Sequence, residues 1–450
     1  MRIDVDFTQT AGPVKPLHGF CNGPLSGGGT TDLTEQFREA GVPYVRYHDV
    51  DWPNGRVVDL PQIFPDLKAD PEDPASYHFE LTDDLLERLA ATGAQAVYRL
   101  GVSIDHARHK QHTQPPADFD AWSAACVGII RHYNEGWANG YRYHIPYWEI
   151  WNEPDLADTP DTPSPMWTGG TPEQYYRLYE IASKRIKACC PAVKVGGYAA
   201  ASVWNEPFVR GFLAHCRDRA CPLDFFSWHT YAPTPEDVAA CECKARAYLE
   251  EYGFGSVETI CDEWNYMHAN LWLPLRENTP VGVETRHLIY DRQRSMFGAA
   301  FDAAVLIALQ HTTLGIATYY ETQLTSNWNG LFTPYGEKRK PFYAFGAFNA
   351  LYCLGTEVPV VLSDAAPGVY ALAATDGREQ AVLLVNFEGE DTVLTLGMTG
   401  LPASADVELY RLDDASDLSF QRSDTVFRQA KQRFPLVRNS VILLKIQSNE

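Results

Sequence analysis

Short apolar segments alternate with longer amphipathic segments through the first three quarters of the chain. The apolar segments are rich in aromatic and β-branched residues and end at Gly, Pro, Asn or charged positions, as buried strands do. They predict eight strands, at residues 17–23, 42–49, 94–101, 147–153, 193–198, 225–231, 257–263 and 315–321. Helices with clear start and stop signals are predicted at residues 32–40, 82–91, 116–133, 172–190, 284–310 and 344–354. Strands that alternate with helices are typical of a parallel sheet covered by helices.

The pattern changes near residue 356. Short strand-like segments separated by Gly, Asp and Pro turns follow, at residues 369–374, 380–387, 392–396, 406–412 and 440–446. Such a series is typical of a β-sandwich. Residues 1–7 also alternate like a strand. We see no linker, repeat or low-complexity tract, so we expect the two domains to pack rigidly.

The length of 450 residues gives room for a large domain and a smaller one. A hydrophobic content of 45% with 21% charged residues is typical of a globular protein. No apolar run approaches the roughly 20 residues that cross a bilayer, so no membrane partner is expected. The start of the chain lacks the continuous apolar core of a signal peptide, which predicts a cytoplasmic location.

The formal net charge of −21 argues against a nucleic-acid partner, because phosphate backbones would be repelled. It also weakens the case for a polyanionic substrate. A homo-oligomer is left open.

The cysteine and histidine residues do not form a convincing metal-ligand set. The ten cysteines are scattered, and most occupy apolar positions, so we interpret them as reduced. The groups with the closest spacing are Cys189 with Cys190, Cys241 with Cys243, and the loop histidines His106, His109 and His112. None completes a zinc set, and the Lys and Arg between the histidines favour a solvated loop. We therefore predict no metal and no cofactor.

The segment 147–155, Tyr-Trp-Glu-Ile-Trp-Asn-Glu-Pro-Asp, carries the first candidate chemistry. Pro154 cannot continue a sheet, so Glu153 is expected at the tip of a strand. Strict alternation would put Glu149 and Glu153 on one face and Asn152 on the other, unless the kink before the proline turns the last residues. A lone acid at a strand end is more often simply solvated. The flanking tryptophans favour a sugar site instead, because indole faces suit sugar rings and burial beside them raises a carboxyl pKa.

This segment resembles the acid/base strand of glycoside hydrolase family 39, the family of β-xylosidases and α-L-iduronidases. The resemblance implies a (β/α)8 barrel of the retaining glycosidase clan A, with Glu153 as proton donor and Asn152 at the substrate 2-hydroxyl. A retaining mechanism needs a second carboxylate about 5 to 5.5 Å away as nucleophile. Segment 257–266 resembles the family's nucleophile strand, which assigns that role to Glu263 and places Trp264 among the substrate-binding residues.

Further pocket residues are implied by the same resemblance. Arg46 and His48 match the second strand, where the arginine orients the nucleophile; a buried structural cation is compatible with that role. His229 and Tyr231 match the sixth strand, with a core histidine as the alternative. Glu321, at the tip of the last strand, would either contact substrate or simply be exposed to solvent at the rim of the barrel. The loop 156–170, rich in Pro, Thr and Asp, is predicted to form a wall of the substrate site.

The expected function is a retaining exo-glycosidase acting on short oligosaccharides through Glu153 and Glu263. β-Xylosidase is the first choice from the family, with β-galactosidase, β-glucosidase, arabinose-releasing and α-L-iduronidase-like activities open. A noncatalytic carbohydrate-binding protein is disfavoured because binding needs no acid pair. A serine hydrolase is disfavoured because the chain lacks a G-x-S-x-G elbow. We expect the catalytic barrel at residues 13–346 and the β-sandwich at residues 347–450, which the N-terminal residues 1–12 join.

Overall fold

A closed barrel forms the larger part of the protein. The computed structural model describes residues 1–27, 31–53, 55–156, 164–363 and 367–449. Within these residues, eight parallel strands close into the barrel, each pairing with the next and the last with the first. Numbered in chain order as barrel strands 1 to 8, they are Gly19–Cys21, Tyr44–Tyr47, Gln95–Leu100, Tyr147–Ile150, Lys194–Ala200, Phe225–Ala232, Glu258–Tyr266 and Ile316–Tyr319. The predicted barrel is confirmed, and its strands fall where the apolar segments placed them.

Helices surround this barrel and cover its outer face. They are Thr34–Ala40, Leu60–Ile63, Glu80–Thr92, Phe119–Asn134, Pro172–Cys189, Glu206–Asp218, Pro235–Glu251, Trp272–Arg276, Pro280–Gln293, Met296–Gln310 and Lys340–Leu354, with 3-10 turns at Pro74–Ser76, Trp137–Asn139 and Ala269–Leu271. None of the helices among the described residues is long and apolar enough to cross a membrane.

The prediction of one helix over residues 284–310 is wrong. The helix Pro280–Gln293 ends, Ser295 adopts an extended backbone, and Met296 starts a new helix. The new helix begins close to the end of the previous one: a Cβ on Gly298 would lie 2.5 Å from the carbonyl oxygen of Gln293. The glycine therefore permits the close approach at this break.

Two sheets form the C-terminal β-sandwich. The four-stranded sheet has the order Val360–Leu362, Arg2–Asp6, Thr392–Thr399 and Gln429–Leu436. The seven-stranded sheet has the order Ser416–Val426, Ala405–Asp413, Ser440–Ser448, Gln380–Asn386, Val369–Thr375, Thr356–Val358 and Gly12–Pro13. The N-terminal strand thus pairs within the sandwich, beside the strand of residues 392–399. The strands 416–426 and 429–436 were not predicted, because most of their side chains are exposed and polar.

The seven-stranded sheet contributes to two hydrophobic cores. One face packs between the sheets, where Leu384 and Ile442 share a hydrophobic core with Leu396 of the opposite sheet. The other face carries Leu372 and Leu383 into the core of the barrel domain. The burial of each large apolar side chain contributes about 1.5 to 3 kcal/mol, and this stabilises the contact between sandwich and barrel.

Candidate active site

The C-terminal ends of the barrel strands bring the candidate residues together. All eight strands are parallel, so side chains near their C-terminal ends meet on one face of the barrel. Arg46 lies on strand 2, Glu149 on strand 4, His229 on strand 6 and Glu263 on strand 7. Each is at most 5% exposed, so these four side chains form a floor of the site that is largely shielded from solvent.

Strand 4 ends earlier than the sequence predicted. Regular pairing stops at Ile150, and the backbone of Trp151 and Glu153 is left-handed, with φ of 73° and 43°. This breaks the two-residue period, so Asn152 turns to the same side as Glu149. Both then bind Arg46, whose Nη2 lies 2.7 Å from Glu149 Oε2 and 2.6 Å from Asn152 Oδ1.

The tryptophans of this segment do not face the pocket. Trp148 and Trp151 are at most 1% exposed and belong to the core of the barrel domain. Their indole N–H groups donate to the carbonyls of Ile145 and Met166. The expectation that they offer sugar-stacking faces is therefore wrong.

Glu263 is held at both carboxylate oxygens. Nη1 of Arg46 donates to Oε1 at 2.8 Å, and the hydroxyl of Tyr231 donates to Oε2 at 2.7 Å. Arg46 comes from strand 2 and is fully buried, and Tyr231 comes from strand 6 and is partly buried. The carboxylate is therefore fixed in one orientation, as a nucleophile requires.

Glu153 lies across the pocket from Glu263. His229 Nδ1 is 2.8 Å from Glu153 Oε1 and 3.4 Å from Glu263 Oε2. Burial raises the pKa of Glu153 to about 7, although the nearby charge of Arg46 opposes the rise. Burial also lowers the pKa of His229 to about 3, so its ring is neutral near pH 7.

The spacing of this trio is also found in metal sites. One ligating atom from each of Glu153, His229 and Glu263 falls within 4.8 Å of the others. The hydrogen bonds to His229 and Tyr231 already engage these atoms. We interpret the trio as a hydrogen-bonded group and not as metal ligands. His106, His109 and His112 are exposed, as the solvated-loop interpretation expects.

Glu321 is a further buried carboxyl group, just after the end of strand 8. Glu321 is only 3% exposed, and its Oε2 accepts from Asn22 and Gln323, both at 2.7 Å. Burial raises its pKa to about 8. Glu321 is therefore not a solvent-exposed residue at the rim of the barrel, and that alternative is wrong. His48 is held by two other neighbours, because its Nε2 lies 3.2 Å from Oδ1 of Asp49 and its Nδ1 accepts from Nε–H of Arg99 at 3.2 Å.

Comparison with known proteins assigns the chain to a family. The sequence profile of glycosyl hydrolases family 39 matches residues 1–274, a stretch that includes both Glu153 and Glu263. The chain belongs to glycosyl hydrolases family 39. The predicted resemblance is therefore confirmed.

Two curated relatives are called β-xylosidases. The protein from Geobacillus stearothermophilus is 27% identical over 59% of this chain and 51% of its own length. The protein from Caldicellulosiruptor saccharolyticus is 23% identical over 86% of this chain and 78% of its own length. The match thus spans only about half of the first relative.

A solved structure shares the complete architecture. The structure of a glucosidase from Croceicoccus marinus superposes with a TM-score of 0.84 at 23% identity, covering 100% of this chain and 99% of the other. This likeness shows that the barrel and the sandwich occur together in a known fold.

Trp264 is placed differently from the prediction. It follows Glu263 on strand 7, so it points to the opposite side of the strand. Its ring is fully buried against Phe301, Tyr319 and Phe345. Trp264 therefore belongs to the helix-covered core of this family 39 chain and cannot contact substrate.

Sequence reasoning missed an aromatic corner beside Glu263. The rings of Trp272 and Trp328 lie 5.3 and 5.2 Å from that of Tyr231, and 5.5 Å from each other. Both tryptophans are half-buried and follow strands 7 and 8. The sequence signal that could have revealed this corner is a tryptophan shortly after the end of a barrel strand. Of the loop predicted as a substrate wall, residues 157–163 lie outside the described residues.

Proposed function

We propose that this family 39 chain is a retaining exo-glycosidase that removes terminal sugars, β-xylosides first, from short oligosaccharides. The observation that carries the proposal is the short distance across the pocket, where oxygens of Glu153 and Glu263 lie within 4.8 Å of each other. Retaining glycosidases place their two carboxyl groups about 5 to 5.5 Å apart, whereas inverting ones need about 6.5 to 9.5 Å for a water molecule.

Glu263 attacks the anomeric carbon in the first step, while Glu153 gives its proton to the leaving oxygen. The product is a covalent glycosyl-enzyme with the leaving group released as an alcohol. In the second step Glu153 takes a proton from water, whose oxygen attacks the anomeric carbon and frees Glu263. The sugar departs with its original configuration.

The electrostatics of the pocket suit these two roles. A pKa of about 7 keeps a large share of Glu153 protonated at neutral pH, which a general acid needs. Arg46 and Tyr231 hold Glu263 with a positive charge and a hydroxyl donor. Asn152, fixed by Arg46, is suitably placed to bind the sugar 2-hydroxyl.

The sugar preference is proposed from the relatives. Two curated relatives named β-xylosidases support a β-xyloside, and the glucosidase from Croceicoccus marinus supports a glucoside as the second candidate. The two sugars differ by the hydroxymethyl group on C5. A clear preference between them would therefore report whether the pocket admits that group.

A panel of nitrophenyl glycosides tests the activity. We expect release of nitrophenol from the β-xyloside, with the β-glucoside, β-galactoside, α-L-arabinofuranoside and α-L-iduronide as comparisons, and none with Glu263→Ala. Proton NMR of the first product should show the β-anomer from a β-glycoside. Initial formation of the α-anomer would contradict the retaining mechanism, and binding without turnover of any glycoside would favour a noncatalytic carbohydrate-binding protein.

Exo-action requires a separate experiment. An end-labelled oligosaccharide ladder should lose one terminal sugar at a time. Products of intermediate length in the first minutes would show internal cleavage instead.

A further inference from the structure

Asp262 is a fully buried carboxyl group directly before Glu263, and the mechanism above does not use it. It is 0% exposed and lies in the barrel floor beneath the pocket. The titratable and charged groups around it are Arg46 of strand 2, Glu149 of strand 4, His229 of strand 6, Cys21 of strand 1, and Cys261 and Glu263 of its own strand.

Asp262 lacks an aligned hydrogen-bond donor. Among the described residues, no donor meets hydrogen-bond geometry at either carboxyl oxygen of Asp262 or at Oε1 of Glu149, and Nε2 of His229 has no partner that meets it. The side chains of Asp262 and Ser227 both lie near enough to the Glu149 carboxyl group to lower its pKa by hydrogen bonding. Nε of Arg46 comes within 3.0 Å of Asp262 Oδ2, but its N–H group is aligned with Glu149 Oε2 at 2.9 Å. An ionised Asp262 would therefore be a buried anion without a hydrogen bond of its own, which is costly.

The balance of charges around Arg46 also favours a neutral Asp262. One guanidinium contacts three carboxyl groups, those of Glu149, Asp262 and Glu263, within 3.0 Å. Three anions around one cation would leave a buried net charge of the same sign as the nucleophile. Burial raises the pKa of Asp262 well above its usual range against the opposing charge of Arg46. Burial opposes ionisation of Glu149 too, but Arg46 and hydrogen bonds outweigh it and lower its pKa to about 2.

We propose that Asp262 is a protonated positioning residue that donates its proton to Oε1 of Glu149 and accepts from Nε2–H of His229. In this arrangement both carboxyl oxygens of Asp262, Oε1 of Glu149 and Nε2 of His229 each gain a hydrogen-bond partner. It fixes the His229 tautomer with the proton on Nε2, whose nearest Asp262 oxygen is 3.4 Å away. Nδ1 of His229 is then an acceptor for the acid proton of Glu153, 2.8 Å away.

The function of this arrangement rests on the proposed glycosidase activity. A neutral Asp262 keeps additional negative charge away from Glu263 and Glu153, whose protonation states the reaction depends on. The pair with Glu149 also holds Arg46 from below, and Arg46 in turn orients Glu263. Asp262 thus acts on the chemistry through its neighbours and without contacting the sugar.

Infrared spectroscopy of the full chain tests the proton directly, whether or not the protein turns over any glycoside. At pH 9, the difference spectrum between wild type and Asp262→Asn should contain the carbonyl band of a protonated carboxylic acid. Asp302→Asn is the matched control, because Asp302 is equally buried in the helix Met296–Gln310, and burial raises its pKa well above the usual range. Absence of an Asp262 band, with the Asp302 band present, would overturn the proposal.

The pH profile of kcat/KM tests the positioning role. Asn mimics the neutral acid, so Asp262→Asn should keep kcat/KM near the wild-type value and leave the alkaline limb in place. Asp262→Leu has the same charge but no hydrogen bonds, and should lower kcat about 10- to 100-fold with a smaller change in KM. If Asp262 were ionised, Asp262→Asn would remove a negative charge and shift the alkaline limb to lower pH.

Nitrogen NMR of histidine-labelled protein supplies a second signature. His229 should be found as the Nε2–H tautomer in wild type and in Asp262→Asn, and should lose this preference in Asp262→Leu. An Nδ1–H tautomer in wild type would overturn the proposed network. Failure of wild type on every glycoside would defeat the proposed function alone, because the infrared and NMR measurements would still decide the state of Asp262.

Discussion

Nδ1 of His229 lies 2.8 Å from Oε1 of Glu153. Burial lowers the pKa of His229 to about 3 and raises that of Glu153 to about 7, so a neutral ring faces a carboxyl that is largely protonated below pH 7. The histidine can therefore hold the acid proton until a leaving group arrives. This contact links the burial of the pocket to the pH range in which the protein should work.

The first prediction concerns the pH dependence of activity. The general acid must be protonated, so kcat/KM for a natural disaccharide should fall as the pH rises through about 7. A dinitrophenyl glycoside needs little acid assistance, so the alkaline limb of its profile should be much weaker. Equal alkaline limbs for the two substrates would show that the limb belongs to another group.

The second prediction concerns stability. The pKa of Glu153 is raised from 4.5 in the unfolded chain to about 7 in the fold, so its contribution to stability is intact below about 4.5 and is lost as the pH rises through 7. Glu153→Gln removes this loss, so the stability of the variant relative to wild type should be greater at pH 8 than at pH 4 by about 3 kcal/mol. Urea unfolding at the two pH values measures the difference. The same change in unfolding free energy at both would contradict the raised pKa.

The third prediction separates two tryptophans. Trp272→Ala should raise KM with little change in unfolding free energy, because the half-buried ring lies in the aromatic corner beside Tyr231. Trp264→Ala should instead destabilise the fold by about 3 to 5 kcal/mol, because its ring fills the core behind strand 7. Kinetics and urea unfolding of both variants make the comparison. A raised KM in a stable Trp264→Ala would restore the original assignment of Trp264 to the pocket.

Strand alternation after Glu263 sends Trp264 outward, but the sequence alone did not secure this argument. A bulge at Asp262 brings Asp262 and Glu263 to the same side of strand 7, where both contact Arg46, so alternation fails one residue earlier. Asn152 is a similar case, because the left-handed backbone at Trp151 that turns it inward has no sequence signal such as glycine.

The main features of the fold were readable because they depend on periodicity. The barrel strands are continuous apolar runs, and several helices carry start signals such as Asp118 and Thr171, whose side chains accept from the first turn. The strands 416–426 and 429–436 lack such a pattern, since their side chains are mostly exposed. The role of Asp262 depends on which donors reach its oxygens, and that depends on contacts between distant strands.

The fourth prediction concerns chelators. The two carboxylates suffice for a double displacement, so activity should be unchanged after treatment with EDTA. Loss of activity that one divalent ion restores would contradict the catalytic interpretation of Glu153, His229 and Glu263. Repeating the treatment with His106→Ala would then test whether the exposed histidine loop is the source of the ion dependence.

The last prediction distinguishes the two glutamates. Glu263→Ala should abolish turnover of every glycoside, because no glycosyl-enzyme can form whatever the leaving group. Glu153→Ala should keep the glycosylation step for a dinitrophenyl glycoside and nearly lose it for a natural disaccharide. General acid assistance is worth about 10² to 10⁴-fold, which sets the expected gap between the two substrates.

Azide completes this test, because it attacks the glycosyl-enzyme without a general base. It should restore deglycosylation in Glu153→Ala and give a glycosyl azide of retained configuration, which NMR of the product identifies. Glu263→Ala is the matched control, since it has no glycosyl-enzyme for azide to intercept. An inverted azide from Glu153→Ala, or equal losses on both substrates, would mean that the roles of the two glutamates or the retaining mechanism are wrongly assigned.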